Sequence, residues 1–103
     1  MVHDPYAEQR RRLEEAVRGS AGGLPTEVRD TAMHAPATLP GARGRWAGQV
    51  ALDATQVTDA DLADLRAEGL DDRAIFELTA AAAVGEAGRR LDAALAAMTA
   101  KEA

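Results

Sequence analysis

From about residue 72 to residue 98 the sequence carries the pattern of a single helix, which at ~1.5 Å per residue would run about 40 Å. A chain of 103 residues gathered into a sphere is narrower than that, so the fold expected is a compact multi-helix domain carrying one overlong C-terminal helix. Ile75, Leu78, Ala82, Leu91, Leu95 and Met98 form its apolar stripe, and Arg73 with Glu77 and Glu86 with Arg90 are spaced for i,i+4 pairing. The middle of the rod is different. Residues 80–83 are all Ala, and Gly85, Ala87 and Gly88 follow, so small side chains surround the helix there. Each Gly inside a helix costs about 1 kcal/mol relative to Ala, and something must offset that cost. The close approach of another helix does so, with a kink or a bound ligand as alternatives. Gly85, Gly88, Ala81 and Ala82 are therefore the predicted helix-packing interface.

Composition points the same way. Hydrophobic residues make up 47% of the chain, yet there is one Trp, one Phe and one Tyr, and about a quarter of all residues are Ala. Alanine contributes little burial energy, and the side chains that normally dominate a core are nearly missing. The isolated chain is expected to be marginal and to be completed by another subunit, as a homo-oligomer or with a second protein as partner.

With no Cys, the chain can form no disulfide, thiolate metal site, iron–sulfur cluster or Cys nucleophile. No apolar run is long enough to span a membrane, and residues 1–12 are charged and lack the apolar stretch of a signal peptide, so a cytoplasmic location is expected. A net charge of −5 argues against nucleic acid as a partner. The run Arg10-Arg11-Arg12 is followed by Glu14-Glu15 and reads as a solvated helix face, not a phosphate-binding patch.

The remaining punctuation predicts an all-α fold. Asp4-Pro5 starts a helix carrying Tyr6, Leu13 and Val17, which ends at the Gly-rich break Gly19-Ser20-Ala21-Gly22-Gly23. Residues 1–23 thus read as an N-terminal helix and tether, and residues 24–103 as the helical domain. Pro25 opens a short helix with Val28, Ala32 and Met33 on one side and His34 at its end. Pro40 opens another, running to about Ala54, in which Trp46 and Val50 share a face. Thr58 and Asp61 form a capping box, and Gly69 followed by Leu70 is a helix stop. Asp71 or Asp72 then caps the long helix.

Few residues suggest chemistry. His34 reads as a helix C-terminal residue, and His3 is the only other His, so no metal site is expected. Trp46 flanked by Arg43 and Arg45 reads first as a core anchor with two solvent-facing bases; the same trio would suit an anionic aromatic ligand and makes Trp46 a ligand-pocket candidate.

Val57-Thr58-Asp59-Ala60-Asp61, then Leu65-Arg66-Ala67-Glu68-Gly69-Leu70, then Ile75-Phe76-Glu77-Leu78 and on through Ala81-Ala82-Ala83 to Arg90-Leu91, resembles the alkyl hydroperoxidase D and carboxymuconolactone decarboxylase superfamily. The resemblance covers roughly the C-terminal half; Leu24-Pro25 with Glu27 and Arg29 is also similar to a helix these proteins often carry. It implies an all-α fold, assembly into trimers or hexamers, and sites near the subunit contacts. The peroxidase branch depends on a Cys-x-x-Cys pair and a following His before the Gly-Leu cap. Aligning on Gly69 leaves Ala54, Val57 and Asp61 at about those places, so thiol peroxidase activity is not carried over. The decarboxylase branch uses acid–base residues in a pocket, for which Glu27, His34, Arg43, Arg45 and Glu86 are the available groups.

Three functions are expected in descending order. The first is a noncatalytic or accessory oligomeric subunit that needs no cofactor. The second is a cofactor-independent lyase in which Glu86, beneath Trp46, acts as base and Arg43 or Arg45 holds an anionic substrate. The third is a small-ligand binding module.

Overall fold

A computed structural model describes residues 4–19 and 23–102, and among these there is no strand. The elements are α1 (Ala7–Gly19), α2 (Thr26–His34), α3 (Gly41–Asp53), α4 (Asp59–Ala67) and α5 (Asp72–Glu102), with short 3-10 turns at Pro36–Thr38 and Ala54–Gln56. Ser20, Ala21 and Gly22 of the expected tether, and His3, lie outside the described residues. No described helix is long and apolar enough to cross a membrane.

Local chemistry accounts for the helix ends. The Asp4 carboxylate accepts the Tyr6 N–H at 2.9 Å ahead of α1. Thr58 and Asp61 satisfy each other's backbone N–H groups at 3.2 and 2.9 Å, a reciprocal capping box at the start of α4. At the end of α4, Gly69 has φ 93°, its N–H donates to the Arg66 carbonyl, and the Leu70 N–H donates to the Leu65 carbonyl. This is the left-handed stop that a side chain would strain, with Leu70 tucked back into the core. Asp71 accepts the Ala74 N–H at 2.9 Å and so caps α5. The start of α3 has no cap of its own. Glu68 supplies one from the end of α4, accepting the Ala42 N–H at 2.8 Å, close beside Gly41 at φ 65°.

The 31 residues of α5 span about 46 Å at ~1.5 Å each, in a molecule whose principal extents are 51 × 28 × 19 Å. The long C-terminal helix expected from the sequence is present, but the compact domain expected around it is drawn out along that helix: the Cα radius of gyration is 15.1 Å, against about 13 Å for a compact chain of this length. α2 and α3 pack on one side of the N-terminal half of α5, α4 packs on α3, and α1 lies along α5 in the opposite direction, with Arg10 reaching Asp92 at 2.7 Å. The helix before the tether therefore docks on its own chain.

Met33, Leu65 and Leu78 are the largest fully buried side chains, and Ala32, Ala47, Ala81 and Ala82 are fully buried beside them. No aromatic ring is fully inside. Trp46 is half-buried against the core and donates its indole N–H to Thr79 Oγ1 at 2.8 Å, whereas Tyr6 and Phe76 are 67% and 70% exposed.

One tie through this core is ionic. Arg29, 3% exposed, donates to Glu77 Oε2 at 3.1 Å and to Thr26 Oγ1 at 3.0 Å, while Glu77 Oε1 accepts the Leu24 N–H at 3.2 Å. The pair locks the start of α2 to α5, and the shared backbone bond is what makes two buried charges tolerable.

The small-residue segment of α5 requires a correction. Gly85, Ala81 and Ala82 are buried inside this chain, so they are not an interface with a second subunit. A Cβ on Gly85 would overlap the Met33 carbonyl oxygen, because the end of α2 meets the backbone of α5 there. Gly88 is also covered, and a Cβ on it would lie 3.3 Å from Glu14 Oε1 of α1. The close helix approach is present, but the partner helices are this chain's own.

Candidate functional site

Glu86 and His34 come together, and the other predicted catalytic residues do not join them. The end of α2, the Pro36–Thr38 turn, the end of α3 and the middle of α5 enclose an open groove of about 350 Å³ whose polar groups include His34, Glu86, Arg89 and Arg90. Glu86 accepts from Arg89 Nε at 3.0 Å through one oxygen and from Arg90 Nε at 3.1 Å through the other. Arg89 also donates to the Met33 carbonyl at 2.7 Å, satisfying an acceptor at the end of α2 that has no partner within its helix. The hydrogen bonds from Arg90 and then Arg89 hold the Glu86 carboxyl below the usual carboxylate range. A general base needs a pKa near the working pH, so these bonds make Glu86 a weak base and a strong clamp. His34 turns its Nδ1 to the Asp30 carbonyl at 3.0 Å and is exposed.

Arg43 and Arg45 face elsewhere, toward Glu68 at 3.8 Å and Asp64 at 3.7 Å on the α3–α4 side. Trp46 does not line the Glu86 groove, and its indole is engaged two turns earlier on α5, at Thr79. The expected cleft with Glu86 beneath Trp46 and an arginine holding substrate is therefore not assembled. The cause is position along α3: Arg43 and Arg45 lie on the turns that meet α4, and the far end of α3 meets Glu86. Glu27 is exposed near the start of α2. Among the described residues no group of three or more His, Asp or Glu side chains is placed to hold a metal ion.

The feature that sequence reasoning missed is on the opposite side of α5. Between α1 and α5 runs an apolar trough in two successive parts, one lined by Ala16, Val17, Phe76 and Ala80, the next, of about 470 Å³, by Tyr6, Leu13, Ala83, Ala87 and Leu91 among others. Tyr6, Leu13 and Phe76 are all more than half exposed. Two signals in the sequence pointed to it. Phe76 stands out of phase with the buried Ile75, Leu78 and Ala82, and Tyr6, in the turn that leads into α1, is seven residues before Leu13, which puts both on one side. The basic run beside the trough is neutralised: Arg11 and Arg12 both pair with Glu8, and Arg10 pairs with Asp92 and Asp4.

No family model, no curated protein and no solved structure matches this chain. The α1–α5 trough and the Glu86 groove thus stand on their own geometry.

Proposed function

We propose that this protein is a non-redox, noncatalytic subunit that works by associating with copies of itself through the α1–α5 trough, as a short, cysteine-free relative of the carboxymuconolactone decarboxylase-like proteins. The observation that carries the reading is the inversion of ordinary burial: two of the three aromatic rings lie on the surface, beside the trough, while Ala fills much of the core. Large apolar side chains gathered along one groove are a recognised mark of a protein-binding surface. The family part rests on the capped α4, the Gly69-Leu70 stop and the Ala-rich start of α5, which occupy the residues that carried the resemblance. The weak base at Glu86 and the dispersal of Arg43, Arg45 and Trp46 support a role without turnover.

Light scattering on a sizing column, across the micromolar range, tests the reading with the wild type and Leu13→Glu. Leu13 is 53% exposed and lines the trough, so the substitution leaves the core untouched. A discrete wild-type oligomer that falls to a monomer in the variant, with helical circular dichroism unchanged, is the expected result. A wild type that stays at 10.8 kDa throughout overturns it.

A further inference from the structure

We infer that the occupant of the trough is the α5 helix of a second copy, running antiparallel, with the two-fold axis passing close to Ala87. This rests on the self-association proposed above and specifies its geometry. A two-fold interface must be self-complementary, so residues equally far before and after the axis face each other. Around Ala87 the chain has that symmetry at helical spacing. Four residues away stand Ala83 and Leu91, seven away Ala80 and Ala94, eleven away Phe76 and Met98. Offsets of 4, 7 and 11 keep all of them on one face of the helix. Each of these six is at least partly accessible in the single chain, Phe76 at 70% and Met98 at 52%.

Antiparallel pairing sets the bulk of one helix against the gaps of the other. Leu91 of one copy lies over Ala83 of the second, Ala80 meets Ala94, and the Phe76 ring meets the flexible thioether of Met98, a favourable sulfur–aromatic pair. Alanine at the centre lets the helices approach to the short end of the ~8–10 Å range of interaxial distances. Parallel pairing would set Phe76 on Phe76 and the alanines on each other, leaving gaps along the middle, and would align the two helix dipoles unfavourably.

The footprint is sufficient. From Phe76 to Met98 the stripe runs about 33 Å at ~1.5 Å per residue, and α1 beside α5 makes it two helices wide, at about 10 Å each. Because the 13 residues of α1 run beside only about 20 Å of that length, the footprint is roughly 530 Å² per copy, which clears the ~1,000 Å² total expected of a specific interface at its low end. The same pairing covers the C-terminal part of α5, where no described residue after Gly88 is buried by the chain itself.

The absence of Cys makes the register measurable by disulfide trapping in an otherwise thiol-free chain. Three single variants serve: Ala87→Cys, Ala80→Cys and Ala94→Cys, each checked for wild-type mass and helical circular dichroism before mild oxidation. Ala87→Cys should convert most of the chain to a covalent dimer. Ala80→Cys alone should not, because its counterpart would lie about 21 Å along the axis, but mixed with a size-tagged Ala94→Cys it should give the mixed dimer. Self-crosslinking of Ala80→Cys would mean parallel pairing and overturns the inference. A stable oligomer in which none of these cysteines pairs overturns the register and leaves self-association standing. A monomeric mass removes both.

Discussion

The two halves of α5 are made of similar residues and live in different surroundings. In the N-terminal half, Ala74, Ile75, Leu78, Ala81, Ala82 and Gly85 are buried beneath α2 and α3. In the C-terminal half, Leu91 and Leu95 are half-covered and Met98 is 52% exposed, with α1 alongside where Arg10 meets Asp92. An amphipathic pattern therefore shows that a face will be covered, and by itself says nothing about what covers it. The face of the first half that meets α2 and α3 is satisfied within the chain, and its Phe76 side is left open. The second is satisfied in the proposed pair.

That contrast can be broken by substitutions whose costs should differ sharply between the halves. The largest effect is expected from Glu77→Ala, which leaves Arg29 charged and buried and strands the Leu24 N–H. A loss of about 3–5 kcal/mol is expected, read as a fall in the chemical-denaturation midpoint. Gly85→Ala should follow, at about 3 kcal/mol, because the added methyl meets the backbone carbonyl of Met33 and α2 must lift away from α5. Thermal melting checks it, and a melting temperature within a few degrees of wild type would show that the helix contact yields easily.

Gly88→Ala sharpens the comparison, since the new methyl meets only the far end of the Glu14 side chain, which can swing aside. The helix then gains about 1 kcal/mol of propensity, and the melting temperature should rise by about 4–8 °C. Two glycines three residues apart would thus respond with opposite signs. The smallest effect concerns pH. The folded carboxyl of Glu86 is held below its unfolded value by Arg90 and Arg89, so its contribution is fully present above the unfolded pKa and is lost as pH falls through the folded one. Wild type should lose slightly more stability than Glu86→Gln on acidification through the range below about pH 4.5, in melts at matched ionic strength.

Much of the fold was legible because helix ends are local chemistry. Thr58 and Asp61 are three residues apart, and Gly69-Leu70 needs only its own helix to form the stop, so both features are written in contiguous residues. The candidate site was less legible because it depends on which turns of separate helices meet. Arg43 and Arg45 flank Trp46 in sequence, yet they lie where α3 meets α4, and Glu86, read as a base beneath Trp46, is occupied by Arg89 and Arg90 with α2 behind them. Gly85 and Gly88 were correctly marked as places of close approach, but the approaching helices are α2 and α1 of the same chain.

The sequence alone determined the helices, the local caps of α4 and α5, the presence of the rod and the absence of thiol chemistry, since each follows from short-range hydrogen bonding, periodicity or composition. Only the tertiary structure decided which face of the rod the chain could cover itself. Coverage is a question of area, and α2 and α3 fill one side with Ala and Met while Tyr6, Leu13 and Phe76 are left around a trough that no other part of the described chain covers.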